Sequence, residues 1–155
     1  DSWKGVEGSV NPMNLTNAAT GSGEPATIAY NGQLYVMFPG IDDYLYVVGS
    51  KEPLIQGEWK GIDESTNPLR LPTGTTTSGI HPGMAEYDGK LFLIFPGEVF
   101  NYQLYTMSSS DPLLEGSWSE RALLPGSFAT GYPVVVNEYM DRLFVMFQGI
   151  NLPNE

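Results

Sequence analysis

A repeat of about fifty residues constrains the fold of this chain more than any other feature of its sequence. Residues 25–40, 82–97 and 133–149 align with one another, and three residue types recur at fixed places in them. The recurring residues are Tyr30, Tyr87 and Tyr139, then Leu34, Leu91 and Leu143, then Phe38, Phe95 and Phe147. Such a repeat indicates one supersecondary unit that is used several times and buries its apolar surface against its neighbours.

Each aligned stretch predicts a β-hairpin. Asn31-Gly32 and Asp88-Gly89 are two-residue turn sequences, because both positions of the turn need positive φ and these residue types tolerate it. Met140-Asp141 occupies the same place in the third stretch and is a poorer turn sequence. The run after each turn is apolar at successive positions, as from Leu34 to Phe38, which predicts a strand covered on both faces.

Two further strands follow each of the first two hairpins, whereas no third strand is predicted after Gly149. Residues 44–48 and 102–106 predict a third strand. Segments 50–59 and 109–118 then share a serine, a proline, a glycine and a tryptophan at identical spacing, which predicts a turn and a fourth strand that the tryptophan opens. The sequence around Trp3 resembles that fourth strand, and we expect most of these aromatic residues to lie in the core.

Four short antiparallel strands per repeat predict an all-β fold made of β-propeller-type blades. We assign residues 1–24 to the last strand of a preceding blade and an entering loop, 25–81 to blade 1, 82–132 to blade 2 and 133–155 to the first strands of blade 3. Propellers have about four to eight blades, so we expect this chain to close its ring as a homo-oligomer, most simply as a dimer with six blades. The alternative fold is a β-trefoil, which the chain length also suits.

Charge and composition exclude several kinds of partner. The net charge is −11, and only seven residues are Lys or Arg, so the surface repels phosphate and nucleic acid is not expected. No apolar run approaches the roughly eighteen residues of a membrane span, so no membrane insertion is expected. The chain has no cysteine, which excludes a thiolate site and leaves the compartment unknown, with a secreted or extracellular location favoured.

The blade motifs carry a family resemblance. The segments Tyr-Asn-Gly-Gln-Leu-Tyr at 30–35 and Tyr-Asp-Gly-Lys-Leu-Phe at 87–92 resemble sugar-binding β-propeller lectins and sialidase-like blade repeats. Similarity to the sialidase Asp-box is loose, since Ser109 and Asp111 match its start but the following glycine and tryptophan are displaced. The Ser-to-Trp segments are also similar to those of five-bladed glycoside hydrolases. The resemblance implies a propeller that recognises glycans.

The residues favour a binding module over an enzyme, and we assign no catalytic residue. A sialidase needs clustered arginines, whereas Arg70, Arg121 and Arg142 occupy unrelated repeat positions. A glycosidase needs two carboxylates, which a five-bladed hydrolase draws from different blades, and this chain has too few blades to supply that ring. No cofactor or metal site is expected, although the adjacent Asp42-Asp43 could hold Ca²⁺.

Candidate ligand-binding residues lie in two sets of loops. In a propeller, the loop entering the first strand of a blade and the loop joining its second and third strands share one face, and these are the segments that differ most among the repeats. The predicted ligand-binding residues are Glu24, Asp42, Asp43, Tyr44, His81, Glu98, Phe100, Asn101 and Tyr132. We therefore expect a non-catalytic, lectin-like module with repeated glycan sites on one face. The alternatives are a subunit or fragment of a five- or six-bladed glycoside hydrolase and a structural protein-interaction module.

Overall fold

Ten β-strands make up nearly all of the regular structure in the computed structural model, which describes residues 23–42, 44–55, 57–72, 81–97, 103–128 and 134–149. One 3₁₀ turn, Ile62–Glu64, is the helical element of these residues, and none of their helices is long and apolar enough to cross a membrane. The strands are β1 (Ala26–Tyr30), β2 (Gln33–Pro39), β3 (Leu45–Ser50), β4 (Leu69–Arg70), β5 (Gly83–Tyr87), β6 (Lys90–Pro96), β7 (Gln103–Ser109), β8 (Ala122–Phe128), β9 (Val135–Glu138) and β10 (Leu143–Met146).

These strands form two four-stranded antiparallel sheets and one hairpin. The sheet orders are β1-β2-β3-β4 and β5-β6-β7-β8, and β9 pairs with β10. Each strand therefore pairs with the next one in the chain, which is the arrangement of a propeller blade. The sequence prediction of an all-β fold with four-stranded repeats is confirmed, and the three units are called blade 1, blade 2 and hairpin 3 below. The predicted strand at Trp3 lies outside the described residues.

The three tight turns have the conformation that the sequence predicts. Asn31 and Gly32 have φ values of 47° and 72°, and Asp88 and Gly89 have values of 50° and 67°. The weaker turn sequence adopts the same form, since φ is 51° at Met140 and 54° in the residue that follows it. Two consecutive positive φ values match the right-handed twist of the flanking strands, so all three hairpins keep the same register.

The main core lies between blade 1 and blade 2. Side chains alternate between the two faces of a strand, so each blade has one face toward the preceding blade and one toward the following blade, here called its leading and trailing faces. The trailing face of blade 1 meets the leading face of blade 2 in one buried cluster: Tyr30, Tyr35, Met37, Leu45, Val47, Leu69, Leu71, Met84, Leu91, Leu93, Phe95, Met107 and Trp118.

A second core joins blade 2 to hairpin 3. Ala85, Ile94 and Leu104 on the trailing face of blade 2 are buried with Val134 and Val136. The first strand of blade 2, β5, also contacts the first strands of its two neighbours, β1 and β9. The first strands therefore lie side by side, as the innermost strands of a propeller do.

The two conserved-spacing tryptophans are core residues in equivalent positions. Trp59 and Trp118 are both buried. The indole N–H of Trp59 donates to the carbonyl of Pro53 at 3.3 Å, and that of Trp118 donates to the carbonyl of Pro112 at 3.1 Å. Because each tryptophan is buried and its N–H has a partner, the two tryptophans stabilise the blades.

The fourth strand of blade 1 is interrupted, which the repeat did not predict. Lys60 pairs with Gly49 on β3 through two backbone hydrogen bonds of 2.8 Å, and the chain then leaves the sheet at Gly61. A Cβ atom at Gly61 would overlap the backbone carbonyl of Asn67, so a glycine is needed where this excursion begins. The chain returns to β3 as the two-residue strand β4.

Replacing Leu91 by alanine tests the main core. Leu91 is fully buried between the two blades, so Leu91→Ala should lower the free energy of unfolding by about 2 to 5 kcal/mol, as measured by chemical denaturation. The matched change Leu114→Ala, at a side chain that is 56% exposed, should cost no more than about 0.5 kcal/mol. Equal small losses for the two variants would contradict the packing of blade 1 on blade 2.

Candidate functional site

The described residues of the predicted ligand-binding loops lie at one end of the blades. In the antiparallel sheets, β1 and β3 begin at the end where β2 and β4 finish, and β5 begins at the corresponding end of blade 2. We call this the loop end, and the opposite end, which carries the three tight turns, the turn end. Polar side chains at the loop end form two groups, described next.

An ion-pair contact joins the entering loops of blades 1 and 2. Nδ1 of His81 lies 3.3 Å from Oε2 of Glu24. This distance is short enough for an ion pair when His81 is protonated. Among the described residues, Nδ1 of His81 has no partner with hydrogen-bond geometry, so the attraction to Glu24 is electrostatic. The backbone carbonyl of His81 also accepts a hydrogen bond of 3.1 Å from the N–H of Val134. His81 thus links the start of all three units, and Glu24 and His81 are called the inner pair.

A second polar group lies farther out on blade 1. The hydroxyl of Tyr46 donates to Oδ2 of Asp42 at 2.8 Å, and the backbone N–H of Tyr44 faces Oδ1 of the same carboxylate at 3.4 Å. The guanidinium carbon of Arg70 lies 3.4 Å from the centre of the Tyr44 ring, a cation–π contact. Asp42, Tyr44, Tyr46 and Arg70 are called the outer cluster.

Sheet register and one glycine hold the outer cluster in place. Tyr46 on β3 pairs directly with Arg70 on β4, so the excursion after Lys60 ends with the arginine beside the tyrosine. A Cβ atom at Gly40 would lie 2.5 Å from the Tyr46 ring and 2.7 Å from Oδ1 of Asp42. Only a residue without a side chain leaves room there for the carboxylate and the phenol to meet.

Hydrogen bonding keeps the Asp42 carboxylate ionised. Its slight burial favours the neutral acid, but the bonds from Tyr46 and Tyr44 and the nearby charge of Arg70 prevail and lower the pKa of Asp42 below its ordinary 3.8. Burial and the bond to Asp42 raise the pKa of the Tyr46 hydroxyl. At neutral pH the cluster therefore presents a fixed carboxylate, which accepts hydrogen bonds, beside a guanidinium, which donates them.

A polar cavity of about 830 Å³ runs along the innermost strands. Its residues extend along β5 from Met84 to the turn at Asp88, so it reaches from the loop end toward the turn end. Glu24 and His81 do not line it but each lies three positions before a lining residue, Thr27 and Met84. The lining residues are Thr27, Ile28, Met84, Ala85, Glu86, Tyr87, Asp88, Val136, Asn137, Glu138 and Asp141.

Blade 2 repeats the frame of the outer cluster with different chemistry. Phe95 stacks on Tyr105 with ring centres 6.1 Å apart, as Phe38 stacks on Tyr46 in blade 1. The Tyr105 hydroxyl donates to Oε1 of the Gln103 amide at 3.3 Å, whereas the Tyr46 hydroxyl donates to the Asp42 carboxylate. The aromatic pair therefore belongs to the blade, and the side chain that accepts from the tyrosine differs between the two blades.

The structure describes four of the nine predicted site residues. Glu24 lies with His81, and Asp42 lies with Tyr44, all at the loop end. The remaining five lie outside the described residues: Asp43, Glu98, Phe100, Asn101 and Tyr132. Among the described ranges, no three His, Cys, Asp or Glu side chains are grouped as a metal site requires. The sequence analysis missed Tyr46 and Arg70, although Arg70 was the one arginine within a few residues of an entering loop.

Comparison with known proteins supports the fold. No protein-family model and no curated protein sequence matches the chain. A GH43 endo-arabinanase from Bacillus licheniformis, a β-propeller enzyme, has a similar structure with a TM-score of 0.50 at 16% identity, over 86% of this chain and 43% of the enzyme. The chain thus spans less than half of that protein.

Two further solved structures resemble the chain less closely. An exo-1,5-α-L-arabinanase from a bovine ruminal metagenomic library has a TM-score of 0.40 at 12% identity, over 77% of this chain and 40% of that one. An α-L-arabinofuranosidase, CtGH43, from Clostridium thermocellum has a TM-score of 0.35 at 12% identity, over 84% of this chain and 62% of that one. At such identities the likeness bears on the fold alone.

Removal of one hydroxyl should raise the pKa of Asp42. Tyr46→Phe deletes the bond that favours the carboxylate, so the pKa of Asp42, followed by carboxyl-carbon NMR, should move up toward 3.8. Because the folded-state pKa is depressed, the small stability that Asp42 contributes above pH 3.8 is lost as the pH falls through its folded value. Tyr105→Phe in blade 2 should leave the Asp42 titration unchanged. An equal shift in both variants would show that the bond is not the cause.

Proposed function

We propose that this chain is a carbohydrate-binding, non-catalytic β-propeller module that holds its sugar at the loop end. The outer cluster is the observation that carries this proposal. It presents one ionised carboxylate, one guanidinium and two phenol rings within a few ångströms of one another, in side chains that are exposed or half-buried. Those are the groups that recognise a sugar, because hydroxyls need both acceptors and donors, and the C–H faces of the ring pack on aromatic surface.

The cluster is also ordered before any ligand arrives. Asp42 is held by Tyr46 and by the backbone of Tyr44, and Arg70 is held on the Tyr44 ring. Ordering a long side chain such as arginine costs about 0.5 to 1.5 kcal/mol when it happens on binding. A site that is already fixed avoids much of that cost, which favours a weakly interacting ligand such as a neutral sugar.

The inner pair and the cavity give the site room for more than one sugar unit. Neighbouring strands lie about 4.8 Å apart, so β3 lies about 10 Å outward from β1 along the sheet. A chain of sugars crossing the loop end from the outer cluster toward Glu24 and His81 would follow that line. The cavity volume of about 830 Å³ lies within the range of ligand pockets, about 300 to 1,000 Å³.

We take a neutral oligosaccharide, such as an arabino-oligosaccharide, as the first ligand to test. The three solved structures compared above are enzymes whose names refer to arabinan or arabinofuranosides. A net charge of −11 disfavours anionic polysaccharides, whereas a neutral arabinan meets no such repulsion. This choice is a proposal about the sugar class and rests on the proposed binding function.

A second candidate is that the chain is part of a glycoside hydrolase. The observation that favours it is the fold likeness to the endo-arabinanase, of which the chain spans 43%. Glu24 and Asp42 lie at the same end of blade 1, and a glycosidase needs two carboxylates on either side of the bond that it cleaves. In that case the other catalytic groups would come from blades beyond those described.

Binding and its loss on a single charge change test the proposed function. Calorimetry with arabino-, xylo- and cello-oligosaccharides should show binding to at least one of them. Asp42→Asn should weaken that binding at least about tenfold, or about 1.4 kcal/mol, because it removes the ionised acceptor. The matched change Glu52→Gln, at an exposed carboxylate of the same blade but at its turn end, should leave the affinity unchanged.

Two other outcomes would redirect the proposal. Release of reducing sugar by the purified chain, abolished in Asp42→Asn or Glu24→Gln, would establish the hydrolase in place of the binding module. Binding to none of the three oligosaccharide series, nor to any other glycan on an array, would reject a carbohydrate function altogether.

A further inference from the structure

A tyrosine contact is repeated at each junction between units. The hydroxyl of Tyr30 in blade 1 donates to the carbonyl of Gly89, the second turn residue of blade 2, at 2.8 Å. The hydroxyl of Tyr87, at the same place in blade 2, donates to the carbonyl of Asp141, the second turn residue of hairpin 3, at 3.0 Å. Blade 1 and blade 2 therefore each use this tyrosine to hold the tight turn of the unit that follows.

Each of these tyrosines also rests on an aromatic neighbour across its hairpin. Tyr30 and Tyr35 have ring centres 6.1 Å apart, and Tyr87 and Phe92 have centres 6.0 Å apart. Hairpin 3 has the same pair, because Tyr139 and Phe144 lie 6.2 Å apart. The trailing face of hairpin 3 is thus built like the two trailing faces that already have a partner.

Hairpin 3 carries the same tyrosine and aromatic pair, and no unit among the described residues receives them. Among the described residues, no carbonyl accepts from the Tyr139 hydroxyl, and the Tyr139 side chain is 60% exposed. Phe144 and Met146 are 47% and 54% exposed, whereas their equivalents in blade 1, Tyr35 and Met37, are 4% and 0% exposed. An apolar sheet face of this kind is typical of an interaction surface.

The leading face of blade 1 offers the matching surface. Gly32 is the second turn residue of blade 1, and no described tyrosine donates to its carbonyl. Leu34 and Val36 on the leading face of blade 1 are half-buried, whereas their equivalents in blade 2, Leu91 and Leu93, are fully buried. Farther from the turn, this leading face is already buried. The open part is therefore the strip beside the turn.

We propose that the trailing face of hairpin 3 docks on the leading face of blade 1 in a second copy of this chain. The Tyr139 hydroxyl then donates to the Gly32 carbonyl of that copy, and Phe144 and Met146 cover its strip at Leu34 and Val36. This contact would have the same form as the junctions between blade 1 and blade 2 and between blade 2 and hairpin 3. Since one chain spans 43% of a propeller of similar fold, two head-to-tail copies supply roughly the length of one ring.

Sedimentation of the purified chain at micromolar concentration tests this association. The wild type should have twice the 17.0 kDa mass of one chain. Phe144→Asp should sediment as a monomer with an unchanged circular dichroism spectrum, and Met146→Lys should do the same if the first variant fails to fold. Ile41→Asp, at an exposed apolar side chain on neither face, should remain a dimer.

Mixing of variants tests the head-to-tail direction. Leu34→Asp should also be monomeric, because it damages the receiving strip. A mixture of Phe144→Asp and Leu34→Asp chains should associate, since one intact trailing face and one intact leading face remain between them. A monomeric wild type, or a Phe144→Asp chain that still dimerises, would overturn the proposal. So would a Leu34→Asp chain that dimerises alone, since that result indicates contact between like faces.

Discussion

The apolar character of both faces of each blade is the constraint on which this structure depends. A four-stranded sheet whose central strands carry Leu, Val, Met and Phe on both sides cannot bury itself, so each sheet needs a neighbour on either side. Blade 1 and blade 2 bury their facing sides in one cluster. Hairpin 3 covers the trailing face of blade 2. The sequence repeat therefore reflects a need for burial, because one blade can bury both of its apolar faces only when it packs between two other blades.

The position of the candidate site follows from that stacking. Because the blades stand side by side with their first strands in contact, the described residues of their entering loops, Glu24 and His81, come together at one end. The same aromatic frame then carries different polar groups, as Asp42 beside Tyr46 in blade 1 and Gln103 beside Tyr105 in blade 2 show. A repeated scaffold with unequal loops suits recognition of an extended ligand, since neighbouring units can contact different parts of it.

Local sequence signals predicted the fold well, because its turns and buried tryptophans depend on short segments. The sequence also predicted that Asp42 and His81 lie at the same end of the blades, since antiparallel topology alone decides that point. It did not predict Arg70, whose place beside Tyr46 depends on how far the chain departs from the sheet between Gly61 and β4. Repeat alignment cannot detect such an excursion, because it occurs in one unit only.

The central claim is that a sugar binds at the loop end of this blade array, and a backbone-amide NMR titration with the best-binding oligosaccharide tests it most directly. The account predicts chemical-shift changes at Asp42, Tyr44 and His81, together with unchanged signals at the turn end of blade 1, as at Glu52, which does not line the cavity. Changes confined to the turn end, or none with any oligosaccharide at saturating concentration, would contradict it.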